Sequence, residues 1–180
     1  LAGSENINQT AIADHELWTA FKQGDVQAFN EMYRRYAGTL YNYHLAPDGA
    51  HVKDAMQDLF TDIWRTRSNL SDTSSIKYYL FRSLRRRLHK LADVKPLPAT
   101  SPLETESIEE RRIRTEEYLL LTQRLQSLLS QLPTRQQEVI RLRFYDNFSW
   151  EEIAGILQIN EQSVRNLVQR AIAKMRESWK

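Results

Sequence analysis

The side chains best suited to chemistry fall into three clusters. Asp54, Asp58 and Asp62 repeat at i, i+4 and i+8. On a helix they make one negative stripe, and neighbouring carboxylates are the simplest candidate for a Mg²⁺ site. Lys77, Arg82, Arg85, Arg86, Arg87 and Lys90 put six positive charges in the 20 residues from Thr73 to Ala92, with no acidic residue among them and with Tyr78, Tyr79 and Phe81 interleaved. Basic groups track phosphates, and aromatic rings stack on unpaired bases for roughly 1–3 kcal/mol each, so this chemistry suits single-stranded or opening DNA. Tyr79 and Phe81 could equally be core residues, with the arginines solvating the helix. Farther along, Glu161, Gln162, Ser163, Arg165, Asn166 and Gln169 offer donors and acceptors for base edges, Arg to guanine and Asn or Gln to adenine. Arg170, Lys174 and Arg176 are spaced for phosphates.

An enzyme fits these clusters poorly. His15, His44, His51 and His89 are dispersed without metal-ligand spacing, and there is no Gly-rich phosphate loop or nucleophile motif. Three helical carboxylates without a convergent partner hold Mg²⁺ badly. No catalytic activity, cofactor, metal or small-molecule substrate is therefore expected. The acidic stripe suits either plain solvation or a basic protein partner, and like charges make it unsuitable for phosphates.

The elements that must position these residues are helical. In 180 residues there are 5 Gly and 5 Pro, too few turn formers for a many-stranded sandwich or barrel. The absence of Cys excludes disulfides and suits a reducing compartment, and no run of 18 apolar residues exists, so a cytoplasmic location is expected. Asp14 is expected to cap a first helix carrying Leu17, Trp18 and Phe21 and ending at Gly24. Asp25 caps a second, with Phe29, Met32, Tyr33, Tyr36, Leu40 and Tyr43 on one face. Pro47, Asp48 and Gly49 read as a turn. Val52, Ala55, Met56, Leu59, Phe60, Ile63 and Trp64 define a third helix, and Ile76, Leu80, Leu84, Leu88 and Leu91 a fourth, separated by a polar loop from Ser68 to Ser75.

Pro96, Pro98 and Pro102 then discourage helix, and the segment reads as an interdomain linker. The charges from Glu109 to Glu117 are expected to begin the next helix, with Tyr118, Leu121, Leu125, Leu128, Leu129 and Leu132 as its stripe. Leu132-Pro133 breaks it, a helix with Val139, Ile140 and Leu142 follows, and Asn147 is a plausible left-handed stop. Ser149 and Glu152 form a capping box opening a helix with Ile153, Ala154 and Leu157 inward. Asn160 caps a last helix burying Val164, Leu167, Val168, Ala171, Ile172 and Met175. The turn between these two helices has Gln158 where glycine is usual, and a left-handed Gln there costs about 1 kcal/mol. The pair has the helix-turn-helix layout, whose second helix lies in a major groove.

The segments Leu132-Pro133-x-Arg135-x-x-Glu138-Val139, Ser149-x-x-Glu152-Ile153-Ala154-x-x-Leu157, Ser163-Val164 and Arg170-Ala171-x-x-Lys174-Met175-Arg176 resemble the C-terminal domain of bacterial sigma factors. LuxR-type regulators share a similar helix-turn-helix. Asp54-x-x-Gln57-x-x-Phe60-x-x-x-Trp64 is similar to the sigma-factor segment that docks on the clamp helices of the RNA polymerase β′ subunit, and Ile76-Lys77-x-Tyr79-Leu80-Phe81-Arg82 to the helix that recognises and melts the minus-10 element. With only two helical domains, the chain looks like the extracytoplasmic-function (ECF) type of the sigma-70 family.

The resemblance implies an all-α chain of two small helical domains joined by a flexible linker: residues 14–93 for core polymerase and the minus-10 element, a linker over 94–114, and residues 115–178 with a helix-turn-helix for the minus-35 element. It implies polymerase contacts at Asp54, Gln57, Asp58 and Asp62, with Phe60 and Trp64 in the core. Minus-10 contacts fall to Lys77, Tyr78, Tyr79, Arg82, Arg85 and Arg86, where Arg86 departs from the usual Asn. Minus-35 contacts fall to Glu161, Gln162, Ser163, Arg165, Asn166, Gln169, Arg170 and Lys174. The loop from Ser68 to Ser75 would hold a flipped base. The implied partners are core RNA polymerase, through β′ and β, promoter DNA and an anti-sigma factor. A self-sufficient LuxR-type regulator, binding a palindrome as a dimer, is the alternative. The formal charge of +2 hides this division: +6 over residues 73–92, while residues 94–117 carry four basic and six acidic groups.

Overall fold

A computed structural model describes residues 5–43, 49–94 and 116–179, with side chains over 14–43, 52–90 and 120–179. The chain divides into two compact units, residues 1–100 and 101–180. All regular structure among the described residues is helical.

In the first unit, α1 (Glu5–Lys22), α2 (Val26–Asn42), α3 (Gly49–Thr66) and α4 (Ile76–Val94) pack around one core, with a 3₁₀ turn at Arg67–Asn69. Trp18, Phe21, Met32, Leu40, Leu59, Ile76, Leu80, Phe81 and Leu84 are all fully buried. Each such side chain contributes roughly 1.5–3 kcal/mol by leaving water. The expected faces of α2, α3 and α4 turn inward, with Phe29, Tyr36, Trp64 and Leu88 half-buried and Tyr33 51% exposed with its ring against Phe60.

The first helix corrects one expectation. It starts at Glu5, so Asp14 lies inside it rather than at its cap. The Asp14 carboxylate is buried and accepts from the Tyr36 hydroxyl at 2.7 and 2.9 Å, with Arg35 at 3.7 Å. Its acceptors serve a bridge to α2 instead of backbone amides. Burial and the bond to Asp14 push the Tyr36 hydroxyl far above its ordinary range, so it remains a donor. Gly24, two residues beyond α1, takes φ +95° in the turn to α2, a conformation only glycine adopts cheaply. Asp25 caps α2 as expected, accepting from Gln27 N at 2.7 Å. Pro47 and Asp48 lie outside the described residues, and Gly49 opens α3.

The second unit holds α5 (Glu116–Ser130), α6 (Thr134–Ile140), a π turn (Arg141–Tyr145), α7 (Trp150–Leu157) and α8 (Glu161–Trp179), with α5, α6 and α7 all against α8. The stripe expected on α5 is only half used. Leu128 and Leu132 are buried, but Leu121 and Leu125 are 51% and 43% exposed. The Tyr118 side chain, the Leu91 side chain and residues 95–114 of the expected linker lie outside the described residues. Ile172, expected inward, is 40% exposed on α8.

The local turn and capping signals of this unit are all present. Asn147 has φ 55° and Gln158 has φ 56°. Gln158 terminates α7 in the left-handed region, with its amide bonded to Ala154 O. The Ser149–Glu152 capping box is complete, at 2.8 Å for Ser149 N to Glu152 Oε2 and 3.1 Å for Glu152 N to Ser149 Oγ. Asn160 Oδ1 accepts from Ser163 N at 2.8 Å and opens α8.

Candidate nucleic-acid and protein-docking surfaces

The start of α8 is the most polar built surface of the second unit. Glu161, Gln162, Arg165, Asn166, Gln169, Arg170 and Lys174 are exposed, and Ser163 is half-buried. They line up because Val164, Val168 and Ala171 hold the opposite face in the core. Several are already oriented. The Arg165 guanidinium lies 4.8 Å from the centre of the Trp150 ring and 3.5 Å from Glu161. Gln162 Nε2 donates to Asn166 Oδ1 at 3.0 Å. Lys174 Nζ donates to Gln131 O at 2.9 Å, so its charge covers the end of α5.

Two participants carry no role in the sequence reading. Arg135, in the first turn of α6, lines a shallow groove with Ile159, Ser163, Asn166, Leu167 and Arg170, adding a cation beside α8. Trp150 is a platform for both Arg165 and Arg143, the latter at 4.6 Å. Only the tight turn after α7 brings Trp150 to Arg165, so linear spacing gives no sign of it.

In the first unit the basic helix sorts its charges by face. Arg82, Arg86 and Lys90 are exposed at i, i+4 and i+8. Arg85 is only 4% exposed, which takes its guanidinium off the outer face. Arg87 Nη2 donates to Asp62 Oδ2 of α3 at 2.8 Å. Phe81 is fully buried against the Tyr43 ring, which excludes it from base stacking, and Lys77 lies 5.8 Å over Phe81. Tyr78 and Tyr79 are half-buried, and Tyr79 packs on Trp18 at 5.0 Å between ring centres.

The loop leading into α4 is pinned to α1. The buried Trp18 donates Nε1 to Ser71 O at 3.1 Å, and Lys22 Nζ meets Asp72 Oδ1 at 2.6 Å. Thr19, Lys22, Gln23, Ser68 and Asp72 line a shallow, open cleft there. At the loop's other end, Ser75 Oγ accepts from Tyr78 N at 3.1 Å and caps α4.

On α3, Asp54, Gln57 and Asp58 are exposed. Asp62 is half-buried and engaged by Arg65 at 2.9 Å and Arg87 at 2.8 Å. The outward negative charge thus concentrates at Asp54 and Asp58. Among the described residues, no group of three or more His, Asp or Glu side chains is placed to hold a metal ion. Among them, too, no helix is long and apolar enough to cross a membrane.

The family model described as sigma-70, region 4 matches residues 122–175, which contain all the α8 surface. The ECF RNA polymerase sigma-E factor of Escherichia coli (strain K12) is 27% identical over 176 residues, covering 89% of this chain and 91% of that protein. Over both units the chain is thus similar to ECF sigma factors of the sigma-70 family. The sigma-E factor of Salmonella typhimurium (strain LT2) matches at the same identity and coverage. The fold is that of solved sigma-factor structures. The structure of CnrH in complex with the cytosolic domain of CnrY matches with a TM-score of 0.64 at 24% identity, over 93% of this chain and 97% of that one. The sigma factor RpoE in complex with the anti-sigma factor NepR from Bartonella quintana matches with a TM-score of 0.56 at 18% identity, over 96% of each. The sigma-E likeness runs through both units, whereas a LuxR-type regulator would share the second alone; that alternative finds no support.

Proposed function

We infer that this chain is a promoter-specificity subunit: it binds core RNA polymerase, directs it to particular promoters, and performs no covalent chemistry of its own. The observation that carries this is the sigma-E likeness across both units, together with the region 4 match over the polar face of α8. In this reading, residues 14–93 bind polymerase and the minus-10 element, 94–114 link, and 115–178 read the minus-35 element. Asp54, Gln57 and Asp58 offer an acidic surface to a basic partner, the β′ clamp helices, and β contacts complete the docking. Arg165, Asn166 and Gln162 read base edges while Arg135, Arg170 and Arg176 approach phosphates. Arg82, Arg86 and Lys90 track the backbone along α4, and Tyr78 remains available for stacking.

The charge count supports dependence on polymerase. Each surface directs about three cations at phosphates, and three phosphate contacts give a salt slope of only about −2.7, so either unit alone holds DNA weakly at physiological salt. Tethering both to one polymerase raises their effective concentration without new contacts. The chain works where polymerase works, in the cytoplasm. An anti-sigma factor is the proposed inhibitor, on the precedent of RpoE with NepR. Run-off transcription with core polymerase and a promoter library tests the whole reading. Promoter-dependent initiation is expected, with weak mobility shifts by the free chain. Tight promoter binding without polymerase and no association with core enzyme would overturn it.

A further inference from the structure

The loop from Leu70 to Ser75 has its own Thr73–Ser75 bonds, at 3.0 and 3.2 Å, and is tied to α1 at two further points. Trp18 is 1% exposed, and its indole Nε1 donates to Ser71 O at 3.1 Å. The same ring packs on Tyr79 at 5.0 Å, so one buried side chain touches both the loop and the helix that follows it. One turn later, Lys22 reaches Asp72 at 2.6 Å. Lys22 is half-buried while Asp72 is largely exposed, so the anchored member of the pair is on α1 and the loop is the part being placed. Lys22 and Asp72 both border the cleft, together with Thr19, Gln23 and Ser68.

We propose that Lys22 is a positioning residue for base selection by this sigma factor: it fixes the Asp72 end of the loop while Trp18 fixes the Ser71 carbonyl, so that α1 sets the shape of the cleft that an unpaired minus-10 base would enter. This rests on the proposed function and on the expectation that the loop from Ser68 to Ser75 holds a flipped base. Without the ion pair the loop keeps its anchor at Ser71 and its Ser75 cap on α4, but Asp72 swings free and the cleft loses its defined wall. The effect is on which base is accepted, not on binding polymerase.

The test uses holoenzyme reconstituted from core polymerase and four chains: wild type, Lys22→Glu, Lys22→Met and the charge exchange Lys22→Glu with Asp72→Lys. Initiation is measured on promoters differing only in the minus-10 bases, with core affinity and thermal midpoint measured alongside. The ratio of initiation at the worst to the best minus-10 sequence should rise about fivefold in Lys22→Glu, less in Lys22→Met, and return to within twofold of wild type in the exchange. Core affinity should stay within twofold throughout. A direct phosphate contact by Lys22 would instead lower initiation equally on all sequences, without rescue by the exchange, and would overturn the proposal. So would losses on all promoters that follow the thermal midpoint. If wild type fails to initiate on any promoter, the functional reading itself falls, and the wild-type lane shows this before any variant is compared.

Discussion

The Arg87 guanidinium of α4 meets the Asp62 carboxylate of α3 at 2.8 Å, joining the basic helix to the acidic stripe. Both side chains are about one-third exposed, at 32% and 37%. Arg65 approaches the other carboxylate oxygen at 2.9 Å. The pair removes one charge from each outward surface, so neither the acidic nor the basic face is as large as the sequence implies.

A double-mutant cycle measures what this bridge contributes. Partly exposed ion pairs are typically worth 0.2–1 kcal/mol, so Asp62→Asn with Arg87→Gln should show a coupling energy of about 0.5 kcal/mol in urea unfolding. A coupling near zero would mean that Arg65 alone holds Asp62, and one above about 2 kcal/mol would indicate a wider network.

Asp58 gives the contrasting case. It is exposed on α3 and lies one turn before Asp62. Asp58→Arg should weaken core polymerase binding about tenfold, leave the unfolding midpoint in urea within experimental error, and leave mobility shifts of the free chain on DNA unchanged. Pull-down with core enzyme supplies the affinity. If Asp62→Asn weakened binding as much as Asp58→Arg, the docking surface would have to extend across the bridge to α4.

How much of this could be read from the residues alone depends on the range of the determining contact. The capping box at Ser149, the left-handed Asn147 and Gln158, and the cap at Asn160 are set by neighbours within five residues, and all are legible. The buried faces of α3 and α4 follow from period alone. Among three consecutive arginines, however, composition cannot say which faces out. A signal did exist: Phe81 is core, and Arg85 lies four residues on, hence on the same face. The Asp14–Tyr36 bridge gave no local sign, because an Asp of capping type was satisfied 22 residues away. Leu121 and Leu125 misled because an apolar stripe shows that a helix has a face, not how far a neighbouring helix extends along it.

Arg165 is held by the Trp150 ring and by Glu161, so its guanidinium is oriented before any base arrives. Arg165→Ala should reduce use of the preferred minus-35 sequence by about tenfold, within the 1–3 kcal/mol of a good base contact, while core binding stays intact. Trp150→Leu should give a smaller loss in the same direction, since it frees the arginine without removing it. Run-off transcription on templates with and without the preferred upstream element separates the two. Equal losses on both templates would mean that Arg165 contacts phosphate rather than base.

The Lys22–Asp72 pair also has a titration signature. The hydrogen bond and charge of Lys22 hold the Asp72 carboxyl below its ordinary value, with a smaller contribution from His15. A group lowered in the folded state stabilises above its unfolded pKa, about 3.9 for Asp, and that contribution disappears as pH falls through the folded value. Carboxyl NMR should therefore place the Asp72 midpoint below about 3.9 in the wild type and move it upward in Lys22→Met. Identical midpoints in the two chains would show that the pair is not populated in solution.

Gln158 and Asn147 make a matched comparison of backbone strain. Both sit in the left-handed region, at φ 56° and 55°. Asn tolerates that region several-fold better than most residues, because its short amide bonds locally, whereas Gln has no such compensation. Glycine removes the Cβ clash but adds freedom to the unfolded chain, which offsets part of the gain. Gln158→Gly should therefore raise stability by about 0.5–1 kcal/mol, and Asn147→Gly by much less, near zero. Urea unfolding of the full chain, followed by the indole NMR signal of Trp150, gives both values. Equal gains would mean that Asn147 bears as much strain as Gln158. A loss at Gln158 would show that its side chain, exposed at the mouth of the turn, makes a contact worth more than the strain it causes.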